Sequence, residues 1–186
     1  MCIRDRLYTI IARYAEWEHR YPAIVDMARE AIALNPRDAV AQATLGINLL
    51  RMGDEDAGLA ALREAWRRDR YNVQVFNTLN LFEDVIPQQY ASFEEAPFRF
   101  RMHQEERPVL ERYVPRHLTA AYAGMVRRYG FTPEGPLAME LYADVQHFSL
   151  RTTGLPNLGV QGVCFGKVVT AISPRGGPFN LSLIHI

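Results

Sequence analysis

Residues 154–180 read GLPNLGVQGVCFGKVVTAISPRGGPFN, and two short apolar runs within them, residues 160–165 and 168–172, flank Gly166-Lys167. A glycine-led two-residue connection between β-prone runs predicts a hairpin, because glycine supplies the positive φ that a type II′ turn needs. Working upstream, residues 98–102 (FRFRM) alternate apolar and charged side chains, the pattern of a strand with one face buried. Residues 105–107 open a helix with Pro108 in its first turn. Leu110, Tyr113/Val114, His117/Leu118, Ala121/Tyr122, Met125 and Tyr129 hold one apolar face until Gly130 ends it. Pro115 falls inside that helix and predicts a kink or a restart, since proline removes one backbone bond and clashes with the preceding turn. Residues 136–142 (PLAMELY) predict a second strand, and residues 144–150 a short helix or turn. A strand, long helix, strand unit favours neighbouring parallel strands.

The N-terminal half is helical by the same test. Leu7, Ile10, Ile11, Tyr14 and Trp17 fall at helical spacings. Pro22 suits the first turn of a second helix, where its missing N–H is no loss, and Asn35-Pro36 ends it. Asp38 and Asp54 are placed to cap two further helices, and Gly53 to take the left-handed conformation between them. Between the halves, residues 85–96 carry neither period and read as a linker. The fold class that follows is α+β: helical hairpins first, an α/β part after.

Composition sets bounds. The chain has 21 basic and 21 acidic residues in 186, a net charge of zero, which disfavours nucleic acid bound by bulk electrostatics. No apolar run approaches the roughly 20 residues of a membrane span. Arg63, Arg67, Arg68 and Arg70 form a basic run that Glu55, Asp56, Glu64 and Asp69 balance, the pattern of a solvated face. The two ends carry a different signal. MCIRDR back-translates as ATG TGT ATA AGA GAC AGx, whose reverse complement reads Leu-Ser-Leu-Ile-His, the closing residues. Residues 1–6 and 181–186 therefore resemble one sequencing-adaptor word read on opposite strands, and are set aside from fold reasoning as scars are. On that expectation the chain is an interior portion of a longer protein, its compartment unknown. Cys164 is then the cysteine that counts, and His19, His103, His117 and His147 the histidines.

Each chemical candidate meets a plainer reading. His117, on the apolar face of the long helix, is expected to be a packed, hydrogen-bonded core residue. His103 ends a strand beside Glu105 and Glu106, and His147 sits in the short turn; neither has a second ligand at metal spacing. Cys164 is expected to be a small apolar strand residue. No G-x-S-x-G, Walker, dinucleotide-glycine or H-E-x-x-H pattern occurs.

Two resemblances add to this. Leu45-Gly46, Leu49, Gly53, Leu62 and Ala65 fall where the tetratricopeptide repeat places small and apolar residues, and Ala31 and Pro36 sit one period of about 34 residues earlier. The resemblance covers residues 7–84 and departs at Gly58, where alanine is usual, and at Arg70 in place of proline; after Val73 it keeps only Phe76 and Leu79. It implies stacked helix pairs with a possible protein partner. Residues 97–180, through PFRFRMH, RYGFTPEGPLAMELYAD, HFSLRTTGLPNLGVQGVCFGKVVTAISP and the closing FN, resemble the front of a gluzincin zinc metallopeptidase domain. Bacterial proteins that join tetratricopeptide repeats to a peptidase-MA-like domain are similar in layout. In that family a helix bearing H-E-x-x-H follows, whose histidines hold Zn²⁺ and whose glutamate acts as base. The resemblance implies a peptide or protein substrate and zinc in the whole protein, and no catalytic or metal residue in this chain. It assigns to Gly162, Val163, Cys164 and Phe165 the role of an edge strand that pairs with substrate backbone, with residues 168–171 as its inner partner. A non-catalytic repeat scaffold is the alternative. A small α/β enzyme of another class is a third, and it requires acid–base residues to gather around His103, Glu105 and His147.

Overall fold

The computed structural model describes residues 7–177 apart from 9, 13, 14 and 17, and the chain divides into two compact units, residues 1–80 and 81–186. The readings on Tyr14, Trp17 and both terminal words lie outside the described residues. The mixture of helices with one five-stranded sheet is an α+β fold.

In the first unit, α1 (Tyr21–Leu34), α2 (Ala39–Arg51), α3 (Glu55–Arg68) and α4 (Val73–Asn80) pack in sequence, each against the next. Local chemistry sets the boundaries. Asp38 accepts from the amides of Val40 and Ala41 at 2.9 and 3.0 Å, and Asp54 accepts from Ala57 at 3.2 Å. Each bond satisfies a first-turn donor that the helix cannot. Gly53 takes φ 84° in the turn between α2 and α3. There the helices come close enough that a Cβ on Gly46 would lie 2.8 Å from the Gly58 carbonyl oxygen. The basic run is largely neutralised: Arg67 and Arg68 both pair with Glu64, and Arg70 lies over the Trp66 ring.

In the second unit a single π turn (Leu81–Val85) leads into α5 (Ile86–Gln89) and directly into β1 (Tyr90–Glu95). Residues 85–96 are thus not a linker. β1 alternates half-buried and exposed residues on an edge strand, so its Glu94 and Glu95 face outward and hide the period from a hydropathy reading. β2 (Phe98–His103), α6 (Arg107–Tyr129) and β3 (Leu137–Tyr142) form the strand–helix–strand unit, with β2 and β3 parallel. α7 (Val145–Thr153) and the hairpin of β4 (Gly162–Phe165) and β5 (Val168–Ile172) complete the sheet, in the order β1-β2-β3-β5-β4. Gly166 turns the hairpin at φ 51°. α6 runs through Pro115 without restarting and closes at Gly130, φ 63°.

Register assigns the two faces. Phe100, Met102, Met139, Leu141 and Ala171 form the core with Leu110 and Val114 of α6. Arg101, Glu140, Tyr142 and Thr170 point the other way, where α7 covers them. His117 belongs to neither core: it is exposed. The packed row on α6 advances strictly by four, through Leu110, Val114 and Leu118 to Tyr122, and His117 is a full 100° step aside from Leu118.

Candidate functional site

β4 is the outer strand of the sheet and pairs antiparallel with β5 alone. The register is Gly162↔Ala171, Val163↔Thr170, Cys164↔Val169 and Phe165↔Val168. The Ile172 amide donates to Gln161 at 2.9 Å, making Gln161–Ile172 a hydrogen-bonded pair. Antiparallel pairs alternate, so the inward-bonding residues of β4 are Val163 and Phe165. The N–H and C=O groups of Gly162 and Cys164 therefore face outward along the open edge. These are the groups an added strand would engage.

Beneath this edge, on the α6 side, lies an apolar groove of about 200 Å³ lined by Leu118, Leu137, Met139, Val169, Gly162 and Cys164. Among the described residues α6 packs on β2, and the β5–β4 side of the same face is left bare. Cys164 is exposed and free. Although the residue is exposed as a whole, partial desolvation of its sulfur beside the apolar groove raises the thiol pKa, which disfavours the thiolate and hence nucleophilic chemistry there.

A second arrangement gathers where the parallel strands β2, β3 and β5 end. His103 closes β2, Asp144 follows β3 and caps α7, and Ser173 follows β5. Tyr90 links them: its hydroxyl lies 3.0 Å from His147 Nδ1, and its ring stands edge-on to His103 at 5.4 Å between centroids. Burial, reinforced by the Asp144 carboxylate, pushes the Tyr90 hydroxyl well above its ordinary value. Burial lowers His147, against the opposing pull of Asp144 and with a smaller contribution from His103. Glu106 accepts from Ser173 Oγ at 2.5 Å and from the Arg175 amide at 3.1 Å, tying the segment after β5 to the start of α6. The Glu105 carboxylate pairs with Arg175, while its backbone amide donates to His103 Nδ1 at 3.3 Å. Tyr90 thus brings His103 and His147 together, and the Glu105 carboxylate is engaged by Arg175 instead. His19 is in the other unit, bonded to Tyr21 at 2.9 Å.

Behind the sheet, Glu140 is buried with Arg101, Arg151 and Tyr142. No reading of the sequence anticipates this group, nor Tyr90. An acidic residue inside the apolar run of β3 was the single available signal.

Among the described residues, no group of three or more His, Cys, Asp or Glu is placed to hold a metal ion, and no helix is long and apolar enough to cross a membrane. No family model, no curated protein and no solved structure matches the chain.

Proposed function

We propose that this chain is the repeat-bearing, substrate-side portion of a zinc metallopeptidase of the gluzincin kind, in which β4 receives the peptide as an added strand. The observation that carries the reading is the open edge: β4 is the outermost strand, backed by β5, with the backbone groups of Gly162 and Cys164 turned outward. Main-chain pairing of that sort binds peptides with little regard to sequence, since every residue offers the same N–H and C=O. The bare groove between α6 and the hairpin supports the reading too, as an apolar seat for the helix that would carry H-E-x-x-H. The described residues themselves do not make up a zinc ligand set. Their part in the chemistry is to align the scissile peptide, not to activate water.

The locus itself tests this. Reading the gene onward from the codon for Asn180 should reveal H-E-x-x-H on a helical pattern within roughly the next few tens of residues. A helix lacking the histidines or the glutamate leaves the non-catalytic repeat scaffold, which binds a protein partner on α1–α4. A stop codon leaves the same scaffold without a peptidase part.

One observation favours a second reading, a small α/β enzyme of another reaction class: His103, His147 and Tyr90 meet at the carboxyl ends of parallel strands, where open α/β sheets bind ligands. Substituting His147 and assaying the longer protein separates the two, because the peptidase reading leaves turnover of a peptide unchanged.

A further inference from the structure

Gly162 is the one residue of β4 without a side chain, and its backbone does not require glycine. The positive φ values belong to Gly53, Gly130, Gly154 and Gly166, and Gly162 is not among them. An added Cβ would meet the Thr170 carbonyl oxygen at 3.3 Å and the Ala171 Cβ at 3.5 Å, so a small adjustment of the hairpin accommodates one. Glycine inside a strand weakens it, through backbone entropy and lost packing, and it marks places where another chain comes close. At β4 the open edge is such a place, because the Gly162 N–H and C=O are turned outward.

The same register sets side-chain directions. Residues opposite each other in a sheet share a face. A strand added beside β4 therefore places the residue opposite Gly162 on the face of Cys164, Val169 and Ala171. That is the face of the apolar groove, whose far wall is Leu118 of α6. A side chain opposite Gly162 meets no side chain on β4 and can lean across the glycine toward Ala171. The residue two positions along lies against the Cys164 side chain and has no such room. Among the described residues that line the groove none is charged, so a charged side chain placed there loses water without gaining a partner.

We propose that Gly162 is a specificity-determining residue, opening a subsite for one large apolar side chain, Phe or Leu, of an extended peptide laid along β4; this rests on the strand addition proposed above and names which peptides it takes. A large side chain opposite an edge glycine recovers the packing that the glycine gives up. The helix proposed to enter the groove takes its α6 side, against Leu118 and Met139, and leaves the rim over Gly162 to the peptide.

The test uses the protein translated onward through the natural codons that follow Asn180. Its substrates are blocked peptides identical except that a single Phe, Leu, Ala or Asp is moved along the sequence. At one position Phe or Leu is expected to exceed Ala in kcat/KM by at least about tenfold, and Asp to fall below Ala. Gly162→Val, whose branched side chain fills the strip, should bring Phe and Ala to within about twofold at that position, and Gly162→Ala should lie between. The ratio is internal to each variant, so it does not depend on how much of the protein is folded, and Gly162→Ala carries the comparison where valine disturbs the strand. A Phe preference that survives in both variants overturns the proposal, as does a wild type indifferent to the side chain at every position. Cys164→Pro separates the two ways of failing. If it cleaves as fast as its parent, or if the wild type is inactive, the strand addition falls and takes the subsite with it. If it cleaves weakly while both Gly162 variants keep the wild-type ratio, only the subsite falls.

Discussion

Glu140→Ala is expected to destabilise the second unit by about 3–5 kcal/mol, enough to unfold it at modest denaturant concentrations. The carboxylate is fully enclosed, accepts three hydrogen bonds and has one further guanidinium nitrogen at ion-pair distance. Oε2 accepts from Arg151 Nε at 2.7 Å and from Tyr142 Oη at 2.8 Å, Oε1 accepts from Arg151 Nη2 at 3.1 Å, and Arg101 Nη1 lies 3.4 Å away. Both guanidiniums are stacked over the Phe82 ring of the π turn. Removing the anion leaves two buried cations facing each other, and the loss of their shared counter-charge sets the size of the effect, more than the methylenes removed.

Acid should act in the same direction. Burial on its own would raise the Glu140 pKa, but the Arg151 and Arg101 charges, with the hydrogen bonds from Arg151 and Tyr142, reverse this and hold it below the usual carboxylate range. The group therefore contributes stability above its unfolded value and loses it as the pH falls through the depressed folded one. Hydrogen exchange in β3 reads the second unit. Tryptophan fluorescence does not, because Trp17 and Trp66 both belong to residues 1–80. Replacing Glu140, Arg101 and Arg151 together with methionine should recover much of the loss, since no unpaired charge remains. A Glu140→Ala protein as stable as wild type would mean that the network is not the buried core of this face.

Gly46→Val is expected to cost the first unit about 2–3 kcal/mol. A Cβ at this position would lie 2.6 Å from Leu62 Cγ and 2.8 Å from the Gly58 carbonyl, and one at Gly58 would lie 2.9 Å from Leu50 and 3.0 Å from the Gly46 carbonyl. Leu62 is completely buried and cannot swing aside, and a backbone oxygen cannot move without shifting α3. The valine must push the two helices apart. Trp66 on α3 packs against Phe76 at 5.3 Å and reports the change through its fluorescence during urea unfolding. Gly124→Val on α6, where nothing stands within 4 Å of the added carbon, is the control without a close approach; read by hydrogen exchange in the second unit, it should change stability by less than about 0.5 kcal/mol. Equal effects of the two substitutions would show that the close approach of α2 and α3 does not matter energetically.

What could be read in advance follows from how local the cause is. Asp38, Asp54, Gly53, Gly130 and Gly166 each act within a turn of their own position, and each does in the fold what its residue type dictates. The hairpin was legible for the same reason. β1 was not, because its sequence, YASFEE, follows Pro87 and ends in two carboxylates, and an edge strand has no need of a continuous apolar face. His117 was misplaced because the width of the apolar stripe was taken from the sequence, whereas the contact with β2 uses a single row of α6. The groupings of Tyr90 with His147 and of Glu140 with Arg101 are tertiary. Tyr90 and His147 are 57 positions apart, and no spacing rule reaches that far. The outward turn of the Gly162 and Cys164 backbone was half legible: the hairpin could be read, but which residues face out depends on a register that only Gln161–Ile172 pairing reveals.

The most direct test is made on the protein translated onward through the natural codons that follow Asn180, measuring bound zinc and peptide hydrolysis in wild type and in Cys164→Pro. That proline removes an outward N–H while leaving the Val163 and Phe165 bonds to β5 in place. The expected result is stoichiometric zinc in both proteins, with hydrolysis in the wild type and at least about tenfold weaker hydrolysis in Cys164→Pro. Zinc-free, inactive wild-type protein, or a Cys164→Pro variant that cleaves as fast as its parent, would contradict the assignment of β4 as the strand that takes the substrate.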